Sequence, residues 1–313
     1  MTDPQTNEHR SGLACLVGRP NAGKSTLTNA LVGTKVAITS RRPQTTRHVV
    51  RGIVTRPDAQ LVVLDTPGLH KPKTLLGERL NDLVREAWSS VDVAALCLPA
   101  TEKVGPGDTY IASELAKARR GGARATFAIV TKTDAASPAQ VAERLAEAAA
   151  LGERAKLEWA EIVPVSAVTG DNVGLLTDLF VSRLPEGPAL YPDGESTDEP
   201  EETLVAELIR EAALEGLSDE LPHSLAVVVD EMELREDRPE DRPLLDIHAI
   251  VYVERDSQKA IVIGKGGARL KDVGTTARRG IEALLGTPVF LDLRVKVAKD
   301  WQRDPRQLRR LGF

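Results

Sequence analysis

The octapeptide Gly18-Arg19-Pro20-Asn21-Ala22-Gly23-Lys24-Ser25 constrains this chain more than any other stretch, because it fits G-x-x-x-x-G-K-[ST]. It follows the apolar run Leu13-Ala14-Cys15-Leu16-Val17 and precedes a helix-like segment, Ser25 to Leu31. In a strand–loop–helix context such a loop wraps nucleotide phosphates with its backbone N–H groups. Gly18 and Gly23 let the backbone come close without a Cβ in the way. Lys24 neutralises charge on the β- and γ-phosphates, and the Ser25 hydroxyl can hold Mg²⁺.

At 313 residues the chain suggests two domains. From about residue 10 to Leu184, apolar strands alternate with amphipathic helices, as in a doubly wound α/β fold. The strand candidates are Leu13–Val17, Val49–Val54, Leu61–Leu64, Val93–Leu98, Ala125–Thr131 and Glu161–Val165; helices are expected over Leu76–Trp88, Thr109–Arg119, Pro138–Ala150 and Val173–Arg183. Ser137-Pro138 marks a helix start, a cap followed by proline in the first turn. Pro185-Glu186-Gly187-Pro188 breaks the pattern, and the acidic stretch to Glu202 reads as a linker. The expected division is a nucleotide-binding domain at 1–186, a linker at 187–202 and an α+β unit at 203–313. Residues 1 to about 10 are polar and expected to be disordered.

Four further segments say which nucleotide binds. Asp65-Thr66-Pro67-Gly68 ends the Leu61–Leu64 strand, where a carboxylate reaches Mg²⁺ and the Gly68 N–H can meet a γ-phosphate. Between it and the phosphate loop lies Ser40-Arg41-Arg42-Pro43-Gln44-Thr45-Thr46-Arg47; a threonine there, Thr46 over Thr45, completes the Mg²⁺ shell when γ-phosphate is present. Thr131-Lys132-Thr133-Asp134 follows the fifth strand. The Asp134 carboxylate can accept from guanine N1–H and N2–H₂, donors that adenine lacks at those places, while the Lys132 stem covers one face of the base. Val165-Ser166-Ala167 brings a backbone N–H, that of Ala167, to guanine O6. The five segments together define a GTP site. Leu69, after the Asp65–Gly68 turn, cannot orient an attacking water by hydrogen bonding, so intrinsic hydrolysis should be slow.

Beyond the linker the order is helix Thr203–Leu214, strands Leu225–Val229 and Leu245–Val253, helix Ser257–Ile263, a glycine-rich loop, helix Ala268–Leu285 and strand Val289–Lys296. Gly264-Lys265-Gly266-Gly267 is a G-x-x-G between two helices, and the surrounding order matches a type II KH domain, whose groove holds about four unpaired nucleotides. Lys265, Arg269 and Lys271 suit phosphate contact. From Ile261 to Phe313 there are twelve Lys or Arg against five Asp or Glu, so a polyanion is the leading partner, although the whole chain carries a net charge of −5. Trp301, within Lys299-Asp300-Trp301-Gln302-Arg303, can either stack on RNA or pack inside the domain.

These motifs, with Asp65-Thr66-Pro67-Gly68-Leu69-His70-Lys71-Pro72-Lys73, resemble the Era family of bacterial ribosome-assembly GTPases, and the resemblance runs through the second unit, including Tyr191-Pro192. It implies a Ras-like α/β GTPase domain with a doubly wound mixed sheet, followed by a smaller KH domain. It further implies a GTPase switch that binds the single-stranded 3′ end of 16S rRNA in 30S maturation, as a monomer that associates peripherally with the inner face of the cell membrane. The nucleotide contacts then come from Gly18 through Ser25, from Asp65 through Leu69, from Thr131, Lys132, Thr133 and Asp134, and from Ser166 and Ala167. Ser25, Thr46 and Asp65 hold Mg²⁺; Asn21, Lys24, Thr46 and Gly68 serve hydrolysis, and in some members the asparagine equivalent to Asn21 helps bind K⁺. Relatives usually carry asparagine where this chain has Thr131. A hydroxyl cannot reproduce both faces of a carboxamide, which puts the contact to purine N7 and the tie to the phosphate loop in question; weaker guanine affinity is expected, with specificity intact through Asp134. An alternative is a nucleotide-tuned RNA-binding scaffold in which hydrolysis is incidental.

Other classes lack support. The five histidines are dispersed without metal-ligand spacing. Cys15 and Cys97 sit in apolar strand-like runs and read as buried thiols. No signal-like or membrane-spanning run is present, which points to a cytoplasmic protein.

Overall fold

A computed structural model describes residues 9–40, 45–69, 72, 74–118, 125–215, 217, 224–236, 238–239 and 241–313. The chain divides into two compact units: one of residues 1–37, 46–72 and 77–198, the other of 38–45, 73–76 and 199–313. The expected disorder at the extreme N-terminus, and Arg41–Gln44, His70, Lys71 and Lys73, lie outside the described residues.

The first unit carries strands β1 (Arg10–Val17), β2 (Val50–Thr55), β3 (Ala59–Asp65), β4 (Val93–Pro99), β5 (Ala125–Thr131) and β6 (Glu161–Pro164). They form one sheet of order β2-β3-β1-β4-β5-β6, parallel except for the antiparallel β2–β3 pair. The interleaved helices are α1 (Lys24–Val32), α2 (Leu75–Ser89), α3 (Pro106–Ala118), α4 (Pro138–Ala155) and α5 (Val173–Val181). Strand periodicity of two separates the two cores. Cys15, Val17, Ala94, Leu96 and Leu98 face α2, α3 and α4 through Val84, Trp88, Ile111, Leu115 and Leu151. Ala14, Leu16, Val93, Ala95 and Cys97 face α1 and α5 through Leu27, Leu31, Leu176 and Phe180. Both faces are therefore covered, which is why β1, β4 and β5 read as unbroken apolar runs. It also puts Cys15 and Cys97 on opposite faces as free buried thiols. Burial pushes both thiols up, Cys97 to about 12.

Ser137 caps α4 as read from the sequence: its hydroxyl accepts from Gln140 N–H, and the Gln140 side chain accepts from Ser137 N–H. Residues 187–198 run along the first unit. Buried Gln60 binds Tyr191 O and the N–H groups of Leu190 and Tyr191, and Ile53 N–H donates to Ser196 O.

The second unit contains α6 (Glu201–Leu214), β7 (Ala226–Leu234), β8 (Leu245–Val253), α7 (Asp256–Ile263), α8 (Ala268–Leu285), β9 (Val289–Val297) and α9 (Pro305–Arg310). Its sheet has β8 at the centre, antiparallel to β7 and parallel to β9, with α7 and α8 forming the crossover that a parallel pair needs. Val205 and Ile209 of α6 and Val273, Ala277 and Ile281 of α8, each one face of a helix, meet Ile247, Ala249 and Val251 of β8. β7 runs five residues past the expected strand end, through a register shift between Val229 and Glu231. The sequence reading missed α9, whose Asp304 side chain accepts from Arg306 N–H ahead of Pro305. Trp301 settles as a packing residue: it is fully buried, donates from Nε1 to Ser224 O at 3.0 Å and stacks on Phe313, so it does not stack on RNA.

Candidate functional site

The phosphate loop leaves the C-terminal end of β1 and enters α1 at Lys24, with Asn21 (φ 62°) and Gly23 (φ 87°) in left-handed conformations. Lys24 is buried, and its ammonium donates to the carbonyls of Gly18 (3.3 Å) and Arg19 (3.0 Å) inside the loop. Asp65 ends β3 on the neighbouring strand. Its Oδ2 accepts from Thr46 Oγ1 at 3.2 Å, Thr46 Oγ1 lies 2.9 Å from Ser25 Oγ, and buried Oδ1 has no partner among the described residues. Ser25, Thr46 and Asp65 thus converge as a set of hard oxygen donors with one carboxylate oxygen unmet, a set that fits Mg²⁺. Desolvation raises the Asp65 carboxyl above its ordinary pKa and lowers the Lys24 ammonium below its own, although each group's charge pulls the other back. The pocket therefore holds two buried titratable groups whose charged forms each lack full compensation.

Thr46, rather than Thr45, turns its hydroxyl toward this cluster. In the second unit, the Thr45 carbonyl accepts from Arg210 of α6, and Thr39 N–H donates to Glu211 Oε1 at 2.9 Å.

Gly68 touches the loop directly. A Cβ there would lie 2.6 Å from Pro20 N and 2.8 Å from Pro20 Cα, both backbone atoms, so only glycine fits this approach. Pro67 is buried beside it. Three residues expected at the nucleotide are committed elsewhere. Arg19 sends its side chain to Asp108 (2.7 Å) and Glu102 (3.2 Å), leaving only its backbone to the loop. Thr66 donates from Oγ1 to Leu16 O at 2.7 Å and braces β1 against β3. Leu69 is 3% exposed in the core, and its N–H donates to Gly18 O at 3.2 Å, so its side chain and its N–H are both engaged within the protein. Each joins a motif through its backbone position, a distinction that sequence cannot draw.

At the base end, Lys132 takes a left-handed turn (φ 57°) into a single 3₁₀ turn over Thr133–Ala135. The exposed Asp134 carboxylate accepts from Ser166 Oγ at 2.7 Å, and the Ser166 hydroxyl also accepts from Thr169 N–H. Ser166 is fully buried, so a fixed donor orients a solvent-facing carboxylate; Ala167 follows in the same turn. Thr131 corrects one expectation. Its Oγ1 donates to Ala22 O at 2.7 Å, so the tie from this segment to the phosphate loop is present despite the missing amide.

In the second unit the G-x-x-G lies between α7 and α8, with Gly264, Gly266 and Gly267 at φ of 72°, 60° and 80°. At Gly264 a Cβ would come within 2.7 Å of Arg269 Cβ, whereas around Gly266 and Gly267 nothing lies within 4 Å. Beside this open loop runs a groove of 360 Å³ between α8 and β9. Leu291 and Leu293 offer half-buried apolar surface there, and Lys271 and Arg278 stand on its α8 wall. Lys265 and Lys271 are exposed. Arg269 is not: its guanidinium donates to the carbonyls of Ala213 (3.1 Å) and Glu215 (2.6 Å), satisfying orphan acceptors at the C-terminal end of α6. It is a brace between helices, and the phosphate-contact expectation for it is withdrawn.

A phosphate loop facing a metal-competent carboxylate, a turn that presents Asp134 and a KH fold in the same chain define a GTPase joined to a nucleic-acid-binding module. Comparisons agree. Family models match a 50S ribosome-binding GTPase over residues 13–132 and a KH domain over 220–302. GTPase Era of a Nocardioides species is 70% identical over 97% of this chain and 96% of its own length. GTPase Era of Streptomyces coelicolor is 68% identical over 99% of this chain and 97% of its own. A crystal structure of Era in complex with MgGDPNP and nucleotides 1506–1542 of 16S ribosomal RNA superposes with a TM-score of 0.90 at 36% identity, covering 97% of this chain and 99% of that one. The chain belongs to the Era family of GTPases.

Proposed function

We propose that the chain is a GTP-hydrolysing switch whose nucleotide state sets how its KH unit holds the single-stranded 3′ end of 16S rRNA during assembly of the 30S subunit. The observation that carries this reading is the anchoring of the segment leading to Thr46. Thr39 and Thr45 are bonded to Glu211 and Arg210 on α6, and the next residue, Thr46, meets Ser25 and Asp65. A change in what Thr46 binds is thus transmitted along the chain to α6, the helix whose C-terminal end Arg269 ties to the G-x-x-G. The Era structure carrying both MgGDPNP and an rRNA fragment supports the choice of ligands.

In the nucleotide pocket, Lys24 exchanges the carbonyls of Gly18 and Arg19 for phosphate oxygens, relieving its burial. Ser25, Thr46 and Asp65 would hold Mg²⁺, which supplies neutralisation of charge on the β- and γ-phosphates. The Asp134 carboxylate, fixed by Ser166, accepts from guanine N1–H and N2–H₂, and Ala167 N–H meets O6. Leu69 is buried in the core and leaves the attacking water without a side chain from that position, so turnover is slow. Asn21, exposed and in a left-handed turn, would contribute to a K⁺ site beside the phosphates. Single-stranded RNA would lay its backbone over Gly266 and Gly267 and its bases on Leu291 and Leu293, with Lys265, Lys271 and Arg278 at phosphates. The basic excess of residues 261–313 also supports peripheral attachment to an anionic membrane face; among the described residues no helix is long and apolar enough to cross a membrane.

Binding of a 16S 3′-end oligonucleotide, measured with GDP and with a non-hydrolysable GTP analogue, tests the switch, together with single-turnover hydrolysis with and without that RNA. Different affinities in the two states and a faster turnover with RNA are expected. Equal affinities and an unchanged rate would leave an RNA-binding scaffold in which hydrolysis is incidental.

A further inference from the structure

We propose that Thr131 holds the phosphate loop and leaves purine N7 unread, so that this pocket recognises guanine by its Watson–Crick edge alone. Thr131 is the last residue of β5 and is 4% exposed. Its hydroxyl carries one proton, and that proton is given to Ala22 O at 2.7 Å. The side chain is seated against the loop: a Cβ built on Gly23 would lie 3.5 Å from both Thr131 Cβ and Thr131 Oγ1. The Thr131 backbone is committed as well, within the β4–β5 ladder and, through its carbonyl, to Ala100 N–H at 2.8 Å. What remains on Thr131 toward the base is hydroxyl lone pairs.

Guanine N7 is also a lone pair, and two acceptors make no hydrogen bond. The N1 and N2 donors lie on one side of the purine and N7 on the other. With the first edge on Asp134, the second turns back toward Ala22 and Thr131, the residues between the base-reading turn and the phosphates. Lys132 does not substitute, because its stem runs past Gly23, with Cε 3.8 Å from the same Cβ position, where it covers a ring face. The inference deepens the assignment of Asp134 to guanine and rests on it.

7-Deaza-GTP, which carries C–H in place of N7, separates the possibilities. The wild-type chain, titrated with Mg²⁺ present, should bind it within about twofold of GTP. Thr131→Val keeps the shape and removes the donor to Ala22 O, so it should weaken GTP and 7-deaza-GTP by the same factor. Thr131→Asn supplies two N–H donors and should gain discrimination against the deaza analogue of about three- to tenfold, the worth of one neutral hydrogen bond. A wild-type penalty of tenfold for 7-deaza-GTP would overturn the proposal. So would a Val variant that loses more on GTP than on the analogue, or an Asn variant whose ratio stays near one. The underlying assignment fails separately: if GTP and ATP compete equally in the wild-type chain, the guanine reading is wrong whatever the deaza ratio.

Discussion

Replacing Gly68 with alanine isolates the contact between the Asp65–Gly68 turn and the phosphate loop. The added methyl would sit 2.6 Å from Pro20 N, where ordinary contact begins at 3.4 Å, so the two backbones must separate by about 0.8 Å. Neither partner is the end of a flexible side chain, and Leu69 N–H to Gly18 O at 3.2 Å staples the same junction. Overpacking of this kind costs about 1–3 kcal/mol of stability. The functional consequence is larger on one ligand than on the other. A displaced Gly68 N–H forfeits a charge-assisted bond to the γ-phosphate, worth about 1.5–3 kcal/mol, which weakens GTP about 10- to 100-fold. GDP has no γ-phosphate and should keep its affinity to within about threefold. Fluorescent GDP and GTP-analogue titrations, alongside urea denaturation, measure both effects. Equal losses for the two nucleotides would show that the phosphate loop itself is deformed, and unchanged GTP binding would show that the turn does not read the γ-phosphate; either result refutes the reasoning.

Asp134→Asn should exchange guanine for xanthine, because the new amide donates to xanthine O2, and competition between GTP and XTP would show a reversal of preference. Turnover should be markedly faster in K⁺ than in Na⁺; equal rates in the two salts would remove Asn21 from the hydrolytic machinery. Lys271→Gln should weaken RNA binding across sequences and reduce the salt slope by about one, as expected for one lost phosphate contact. Arg269→Ala should instead lower stability by about 1–3 kcal/mol in a denaturant melt, since it removes both bonds to the end of α6 and leaves the Ala213 carbonyl unpaired, and the salt slope of RNA binding should not change.

The parallel sheet was legible because β1, β4 and β5 are buried on both faces and therefore spell continuous apolar runs, and the α4 start was legible because Ser137 and Gln140 cap it locally. Such signals are short-range. What escaped was decided at long range. Arg19 and Arg269 look like phosphate contacts from their neighbours in sequence, yet their charges are taken by Asp108 and by the end of α6, groups 89 and 56 residues away along the chain. Thr131 looked like a lost tie because a motif records residue types, whereas a hydroxyl 2.7 Å from Ala22 O makes the bond that one face of an amide would. Ser166 was read for its backbone neighbourhood alone; its role as the donor that fixes Asp134 depends on two loops meeting at 2.7 Å. α9 left only its start signal, Asp304-Pro305, because a six-residue helix shows too little periodicity to be read beyond it.

The same long-range logic explains why the nucleotide pocket holds two buried charges. Taking an ammonium and a carboxylate out of water costs several kcal/mol each, and their mutual attraction recovers only part of it. Lys24 and Asp65 show the residue of that imbalance, each displaced toward its neutral form by desolvation. Asp65, with its pKa raised, contributes stability at low pH that is lost as the carboxyl ionises. Lys24, with its pKa lowered, contributes stability at high pH that is lost as the amine takes up its proton. As pH moves inward from either limit those contributions fall away, which leaves the empty pocket least stable at intermediate pH. A triphosphate brings negative charge to Lys24 and a divalent cation brings positive charge to Asp65, so the ligand that the site must recognise is also the one that removes its electrostatic cost. Ligand at 100 times its dissociation constant adds about 2.7 kcal/mol to the folded state by mass action alone. Part of that gain is gathered at Thr46, whose hydroxyl lies between Ser25 and Asp65 and whose backbone leads directly to the residues bonded on α6.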